Sequence, residues 1–577
     1  MRNYWRQCVA LLMLFAGTAL PAKEAAPVII FEADKIITME PSLPSARFVA
    51  VSDGIILGVA DSVAALDAWT RGRTVSLDRR FAKQILMPGL IDPHVHPMQA
   101  AVMLNLPFIA PEDWKLPSGS YQGAQTPAAY RARLREELAK SNANPFIVWG
   151  HHELFHGSID RAELDSIAPD RAVIVWQRSF HEVIVNTAAL QAWGLGSEAE
   201  FNARLALSSA SIDPAHASFA KGVFSETALS IALDKLRPVI FTPERITAGM
   251  AGMQRMMLTN GVTTVSDMGT GVFSSFTAEA DMIMAAFDRP GNPSRVMLMP
   301  IASILPAATH LDQWFDRTKA RYASPNVRVD RRVKMFADGA FFAQNMMMNA
   351  PGYADGHIGK WLTQPTVINE QFARFWAAGF DLHIHVNGDE GLDVVLDGIA
   401  ALPTRSAQTV TLEHLGYSTE AQNRRIARMG LMVSAQPNYI RVLSDVYAAN
   451  GLGPDRAATI NRLGSLERKG VTLGLHSDFN MAPIDPLYLA WVAANRISIA
   501  GNNKAPSERL SLDKALRAIT IEAAQVIGMD ALVGSIAAGK KADFAVLERD
   551  PYALGAARLR EAGVAGVIYE GVYQAAR

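Results

Sequence analysis

Two histidines two residues apart, His94 and His96, follow the run Met87-Pro88-Gly89-Leu90-Ile91-Asp92-Pro93. On an extended strand residues at i and i+2 face the same way, so both imidazoles can enter one site. Imidazole is the commonest metal ligand. An isolated His-x-His is weak evidence; placed directly behind a Pro-Gly turn and a short apolar run it is a strong one. Further groups of the same chemistry recur downstream: His383 and His385 in LHIH, His414 at the end of VTLEH, and Asp478 in LHSD. Lys334 stands inside the apolar run Val333-Lys334-Met335-Phe336, where an unpaired ammonium is costly to bury. An ion pair with Asp338 is the simplest remedy for it.

These residues need a scaffold that brings distant segments together. Between residues 87 and 534 strand-like and helix-like stretches alternate, the pattern of a parallel βα architecture. Helices are expected at 127–140, 241–259, 367–378, 419–429 and 511–526. Strands are expected at 84–87, 172–176, 262–265, 332–336, 382–385, 410–414, 431–434 and 471–475. Several of these strands end in a polar, ligand-type residue, as the catalytic ends of TIM-barrel strands do. Residues 98–240 exceed one βα connection and imply an inserted subdomain. Residues 26–86 and 535–577 both read as short strands with turns, and together suggest one small β-sandwich built from the two chain ends.

With 577 residues the chain has room for a barrel and a second domain. A formal net charge of -1, with no dense Lys/Arg run, argues against a nucleic-acid partner. Residues 1–25 read as a signal peptide: Arg2 and Arg6 precede the apolar run Val9 to Leu20, with Ala22 and Ala25 at plausible cleavage positions. The run is short for a membrane span. The expected location is therefore periplasmic or secreted, with no membrane attachment after processing. Cys8 is the only cysteine and would leave with the signal, which excludes disulfides and thiol catalysis from the mature chain.

Seven ordered segments carry a family resemblance: PGLIDPHVHP, KMFADGA at 334–340, HIHVNGDEG at 383–391, LEHLGY at 412–417, SAQPNY at 434–439, HSDFNMAPIDPL at 476–487 and GSIAAGKKADFAVLERDP at 534–551. The chain resembles the amidohydrolase superfamily, and within it the YtcJ-like branch that includes N-substituted formamide deformylase. The resemblance implies a (β/α)8 barrel and two divalent metals, zinc by ligand chemistry. It implies His94 and His96 on the more buried metal and His385 and His414 on the second, with Asp478 as metal ligand and proton acceptor. Lys334, carbamylated at Nζ, would bridge the two. His181 would face the substrate and stabilise an oxyanion, and Glu226, in Gly222-Val223-Phe224-Ser225-Glu226, would be a further metal contact or a pocket wall.

The implied activity is hydrolysis of a linear amide, an N-acyl or N-formyl amine, with a small-molecule amide as partner and a homo-oligomer left open. The alternatives are a mononuclear deaminase releasing ammonia, which has no use for a bridging lysine, and a non-catalytic periplasmic binding protein. Asn387 and His476 depart from the family pattern, which usually has a small or aliphatic residue and a glycine there. His151, His152 and His156 are spaced loosely for a metal and are expected at a pocket rim or on the surface.

Overall fold

The computed structural model describes residues 26–576 apart from 208–211 and 405–406; the signal-peptide reading of residues 1–25 lies outside them. Eight parallel strands build the site and are numbered here in chain order: β1 (Leu90–Val95), β2 (Val262–Thr270), β3 (Arg295–Pro300), β4 (Arg332–Phe336), β5 (Asp381–Val386), β6 (Val410–His414), β7 (Met432–Ala435) and β8 (Leu473–Leu475). They form two sheets. One has the order β1-β2-β3 with Val327–Val329 at its edge, the other the order β4-β5-β6-β7-β8. Single parallel bridges, Ile301 to Lys334 and Val95 to Phe479, link the edges of the two sheets. The result is an α/β fold of the distorted TIM-barrel type. All of β1, β2, β3 and β6 is buried, as in parallel sheets covered on both faces.

Gly89 illustrates how tightly the first of these strands is held. A Cβ there would lie 2.1 Å from Thr263 Oγ1 on β2, so only glycine lets the two strands approach. The expected helix over 127–140 forms as Pro127–Lys140, with the Thr126 side chain accepting from Ala129 N. The expected helix over 241–259 begins instead at Pro243, capped by Thr242, after a separate helix Leu229–Ile240. The expected helix over 511–526 is two, Leu512–Arg517 and Ile521–Val526, because Thr520 leaves helical geometry (φ -137°, ψ -103°).

The two chain ends meet in one seven-stranded sheet, in the order Val572–Ala575, Val564–Tyr569, Phe544–Leu547, Val75–Pro88, Val28–Ile37, Ser45–Ser52, Ile55–Ala60. It is one continuous hydrogen-bonded sheet. Both of its faces are covered: Phe31, Phe81 and Phe544 pack on one side, Val28, Ile30 and Leu66 on the other. The insertion after β1 carries its own five-stranded sheet, ordered Ala217–Ser218, Val223–Ser225, Glu182–Val185, Val173–Gln177, Phe146–His151. That sheet stands beside the C-terminal ends of the β1–β8 strands and supplies Ser179, Phe180 and His181 to the cavity there. Among the described residues no helix is long and apolar enough to cross a membrane.

Candidate metal centre

The site is assembled at the C-terminal strand ends. His94 lies in β1 and is 1% exposed; its Nδ1 is 2.7 Å from Glu413 Oε2 on β6. That contact reserves Nδ1 and turns Nε2 inward, as carboxylate–histidine pairs around metals do. Nε2 is 3.6 Å from Asp478 Oδ1, and His96 Nε2 is 3.2 Å from the same oxygen. Donor atoms of His94, His96 and Asp478 all lie within 4.8 Å of one another. Asp478 reaches this position three residues beyond β8 through a left-handed backbone (φ 49°), with its N–H donating to His94 O at 3.0 Å. Asp92 ties the same two segments together, its Oδ1 accepting from Ser477 N (3.1 Å) and His94 N (3.4 Å).

His414 ends β6, also left-handed (φ 72°), and its Nδ1 is 3.7 Å from Asp478 Oδ2. Its ring centre is 4.7 Å from that of His94 and 4.5 Å from that of His385. His385 Nε2 is 3.1 Å from the Asn387 side-chain amide. The structure therefore brings His94, His96, His385, His414 and Asp478 into one cluster. His383 shares the parity of His385 but sits one layer deeper, opposite Lys334 in register, and its Nδ1 is 2.7 Å from Glu413 Oε1. Glu413 thus joins two imidazoles beneath the cluster.

Burial holds the His94 and His414 rings well below the ordinary histidine value and brings His385 down to about 3, helped in each case by neighbouring positive charge. These rings are neutral, the form that offers a lone pair to a metal. Burial also pushes Asp478 up, but its hydrogen bond to His96 and the surrounding positive charge outweigh that, and the carboxyl lies below its usual range. Nitrogen and carboxylate donors in these protonation states fit a divalent transition metal.

Lys334 is buried, its Nζ without a hydrogen-bond partner and 5.5 Å from the Phe336 ring centre. Burial lowers it to about 8, opposed by the charges of Glu413 and Asp478. The ion pair to Asp338 is absent: that carboxylate accepts from the backbone N–H groups of Met347, Asn387 and Gly388 at 2.8–2.9 Å. His476 also offers a nitrogen near His94 and His414. Its ring, however, stacks on His94 at 21°, and two nearly parallel rings cannot aim in-plane lone pairs at one ion.

His181 and Glu226 belong to the insertion. Strand pairing sets Glu182 opposite Ser225, so the residues flanking that pair meet: His181 Nδ1 is 3.0 Å from Glu226 Oε2. Glu226 is held on His181 and Asn345, apart from the histidine cluster. His151, His152 and His156 are buried inside the insertion, against the expectation of a rim or surface position. His156 Nε2 bonds Ala124 O and its ring stacks on Tyr130, which makes it part of that subdomain's core.

A cleft of about 1100 Å³, counted with its open mouth, rises from the cluster. Its walls are largely apolar, among them Met98, Phe180, Leu229, Phe273, Phe341 and Tyr439. The sequence reading overlooked Glu413, Asp92 and Asp267. A buried carboxylate inside the apolar run VTLEH is the same signal that drew attention to Lys334, and it would have found Glu413. Asp267, whose Oδ1 is 4.0 Å from His96 Nδ1, has no such signal, because it lies at the mouth of β2 among small polar residues.

A family model for amidohydrolases matches residues 84–573. The chain is 24% identical to a putative amidohydrolase, YtcJ, of Bacillus subtilis, over 91% of this chain and 95% of that one. It is 30% identical to N-substituted formamide deformylase of Arthrobacter pascens, over 42% of this chain and 44% of that one. A metal-dependent hydrolase of uncharacterized function from Pyrococcus horikoshii has the same fold, with a TM-score of 0.68 at 19% identity over 92% of this chain and 99% of that one. With the family match spanning most of its length and a buried His/Asp cluster at the strand ends, the chain belongs to the amidohydrolase family and is a metal-dependent hydrolase of C–N bonds in small molecules.

Proposed function

We propose that this protein hydrolyses a linear amide, an N-acyl or N-formyl amine, in the manner of the YtcJ-like branch and on a (β/α)8 barrel. The observation that carries the two-metal form of this reading is Lys334: a buried amine without a hydrogen-bond partner, in register with His383 and beside the His94–His414–His385 series. Reaction of that ammonium with CO2 forms an N–C bond, releases two protons and converts a buried cation into an anionic oxygen donor. His94, His96 and Asp478 would hold one ion, His385 and His414 the other, with carboxylated Lys334 between them and zinc as the ion. Metals so held activate a water and polarise the scissile carbonyl.

The chain's own groups do the rest. Asp478, kept ionised by His96, accepts the proton of the attacking water and returns it to the leaving nitrogen. His181 donates a hydrogen bond to the carbonyl oxygen as negative charge grows there. The apolar cleft takes an uncharged substituent of the amide, and its walls keep bulk water from it. Residues 1–25 would direct the chain to the periplasm or outside the cell.

Metal content tests the reading. Protein purified without chelator should carry about two metal ions per chain, and Lys334→Ala about one, with loss of the carbamate carbon signal after incubation with labelled bicarbonate. About one ion in the wild type, with ammonia released and no carboxylate formed, would replace this reading by the mononuclear deaminase.

A further inference from the structure

His181 reaches the cavity from the insertion and not from the barrel strands, and the way it is held is unusual. Its Nδ1 is taken by Glu226 Oε2 at 3.0 Å. The other carboxylate oxygen, Oε1, accepts from Asn345 Nδ2 at 2.8 Å, and Asn345 lies in the loop after β4. Glu226 N–H also donates to His181 O at 2.9 Å. The Glu226 side chain is 8% exposed whereas that of His181 is 31% exposed, toward the cleft. Both approaches to the pair use left-handed backbone at bulky residues, Phe180 (φ 69°) and Glu226 (φ 43°). Such geometry is costly for residues with a Cβ and persists only where the surroundings enforce it.

We propose that Glu226 is a positioning residue for catalysis: it fixes His181 with Nδ1 turned into the insertion and Nε2 turned toward the scissile group, and Asn345 fixes Glu226. A carboxylate on one ring nitrogen determines which tautomer the other presents. Here it guarantees a proton on Nδ1, and it favours the imidazolium, whose Nε2–H is the stronger donor to a growing oxyanion. The raised His181 value agrees: burial lowers it, and the charge and hydrogen bond of Glu226 more than restore it. One part of the reacting site is therefore set by the contact between insertion and barrel loop. The inference rests on the amide-hydrolase reading for the identity of the oxyanion, but the tautomer it assigns does not.

The experiment is a double-mutant cycle on metal-replete protein with 4-nitroformanilide, joined to nitrogen-15 spectroscopy of the histidine rings. Glu226→Ala and His181→Ala should each lower kcat by about 100-fold with KM within about threefold and metal content unchanged. The double variant should lose no more than either single one, because the two residues act as a unit. Asn345→Ala, which leaves the carboxylate in place, should give a smaller fall in kcat of the same kind and covers the case in which Glu226→Ala folds poorly. In the spectra the His181 Nδ1 proton should be seen in wild type and lost or exchanged in Glu226→Ala. Additive losses, loss of a metal ion from Glu226→Ala, or an unchanged His181 ring signal would each overturn the proposal. A wild type inert to the anilide while the ring signal still depends on Glu226 would sink the amide reading and leave the positioning standing.

Discussion

Replacing Glu413 by glutamine tests whether the layer beneath the cluster governs metal affinity. The Glu413 carboxylate accepts from His94 Nδ1 and His383 Nδ1, both at 2.7 Å, and is itself fully buried. Burial pushes its pKa up, but the hydrogen bond from His383 and the charges of Lys334 and its histidine neighbours hold it below the ordinary value, so both oxygens are acceptors. Glutamine has the same shape but one acceptor and one donor. One imidazole must then give up its Nδ1 proton or its hydrogen bond. Losing a charge-assisted hydrogen bond at a buried site costs about 1.5–3 kcal/mol. If the ring affected is His94, that cost appears in the metal equilibrium, because Nε2 is no longer set as an acceptor toward the ion. The corresponding weakening is about 10- to 100-fold, the range typical of groups that orient metal ligands. Competition against a chromogenic chelator at neutral pH measures it directly. His383→Gln, which leaves the His94–Glu413 contact intact, should weaken binding by less than about tenfold. A Glu413→Gln protein that binds metal within about twofold of wild type would refute the idea that this carboxylate orients His94.

Two further outcomes follow from the cleft and from the insertion. Phe180 stacks on Trp176 (4.3 Å between ring centres) and meets Phe273 edge-on (5.6 Å), so Phe180→Ala removes one apolar wall. Its kcat/KM for an N-aryl amide should fall by about 10- to 100-fold relative to an N-methyl amide; equal losses on both would show that Phe180 contributes nothing to the substituent site. Glu182 is pushed up to about 7, first by burial and then by the like charges of Glu153 and Glu226. The folded protein therefore keeps a proton that the unfolded carboxyl releases near 4.5, and stability falls as pH rises from that value through about 7. Glu182→Gln should raise the melting temperature at pH about 8, by at most about 3 kcal/mol in stability, and leave it unchanged at pH about 4; a gain at both would point to some other cause.

The parts of the site that were legible in the sequence are those with a local signal. His94 and His96 declare themselves through i, i+2 spacing, and Lys334 through its place in an apolar strand. His414 and Asp478 close apolar runs. The choice between His383 and His385 has no local signal: both face inward, and only the register, with His383 beside Lys334 and His385 beside Phe336, sets their depth. The meeting of His181 with Glu226 depends on strands pairing across more than forty residues of the insertion, a long-range event that spacing does not encode. The terminal β segments were readable as strands. So was their union in one domain; which strands pair, with Phe544–Leu547 inserted beside Val75–Pro88, depends on contacts between opposite ends of the chain and was not.

Backbone strain at the strand-end residues raises the question of what keeps them in place. His414, Asp478 and Glu226 all have positive φ, a conformation in which local propensity alone would place glycine or asparagine. Each is held by bonds that do not involve its side chain. Asn461 Nδ2 donates to the carbonyls of His414 and Leu415, at 3.1 and 2.6 Å. Asp478 N–H donates to His94 O, and its carbonyl accepts from Met481 N at 2.6 Å. Glu226 N–H donates to His181 O. Because main-chain and Asn461 bonds fix the backbone, the side chains are free of that task and their donor atoms remain for chemistry. A ligand set built this way is organised before any ion binds, so the energy of coordination goes into binding and not into ordering the loops. Loosening a strand end at Asn461, which touches no ligand side chain, should therefore weaken the metal site from a distance, through His414.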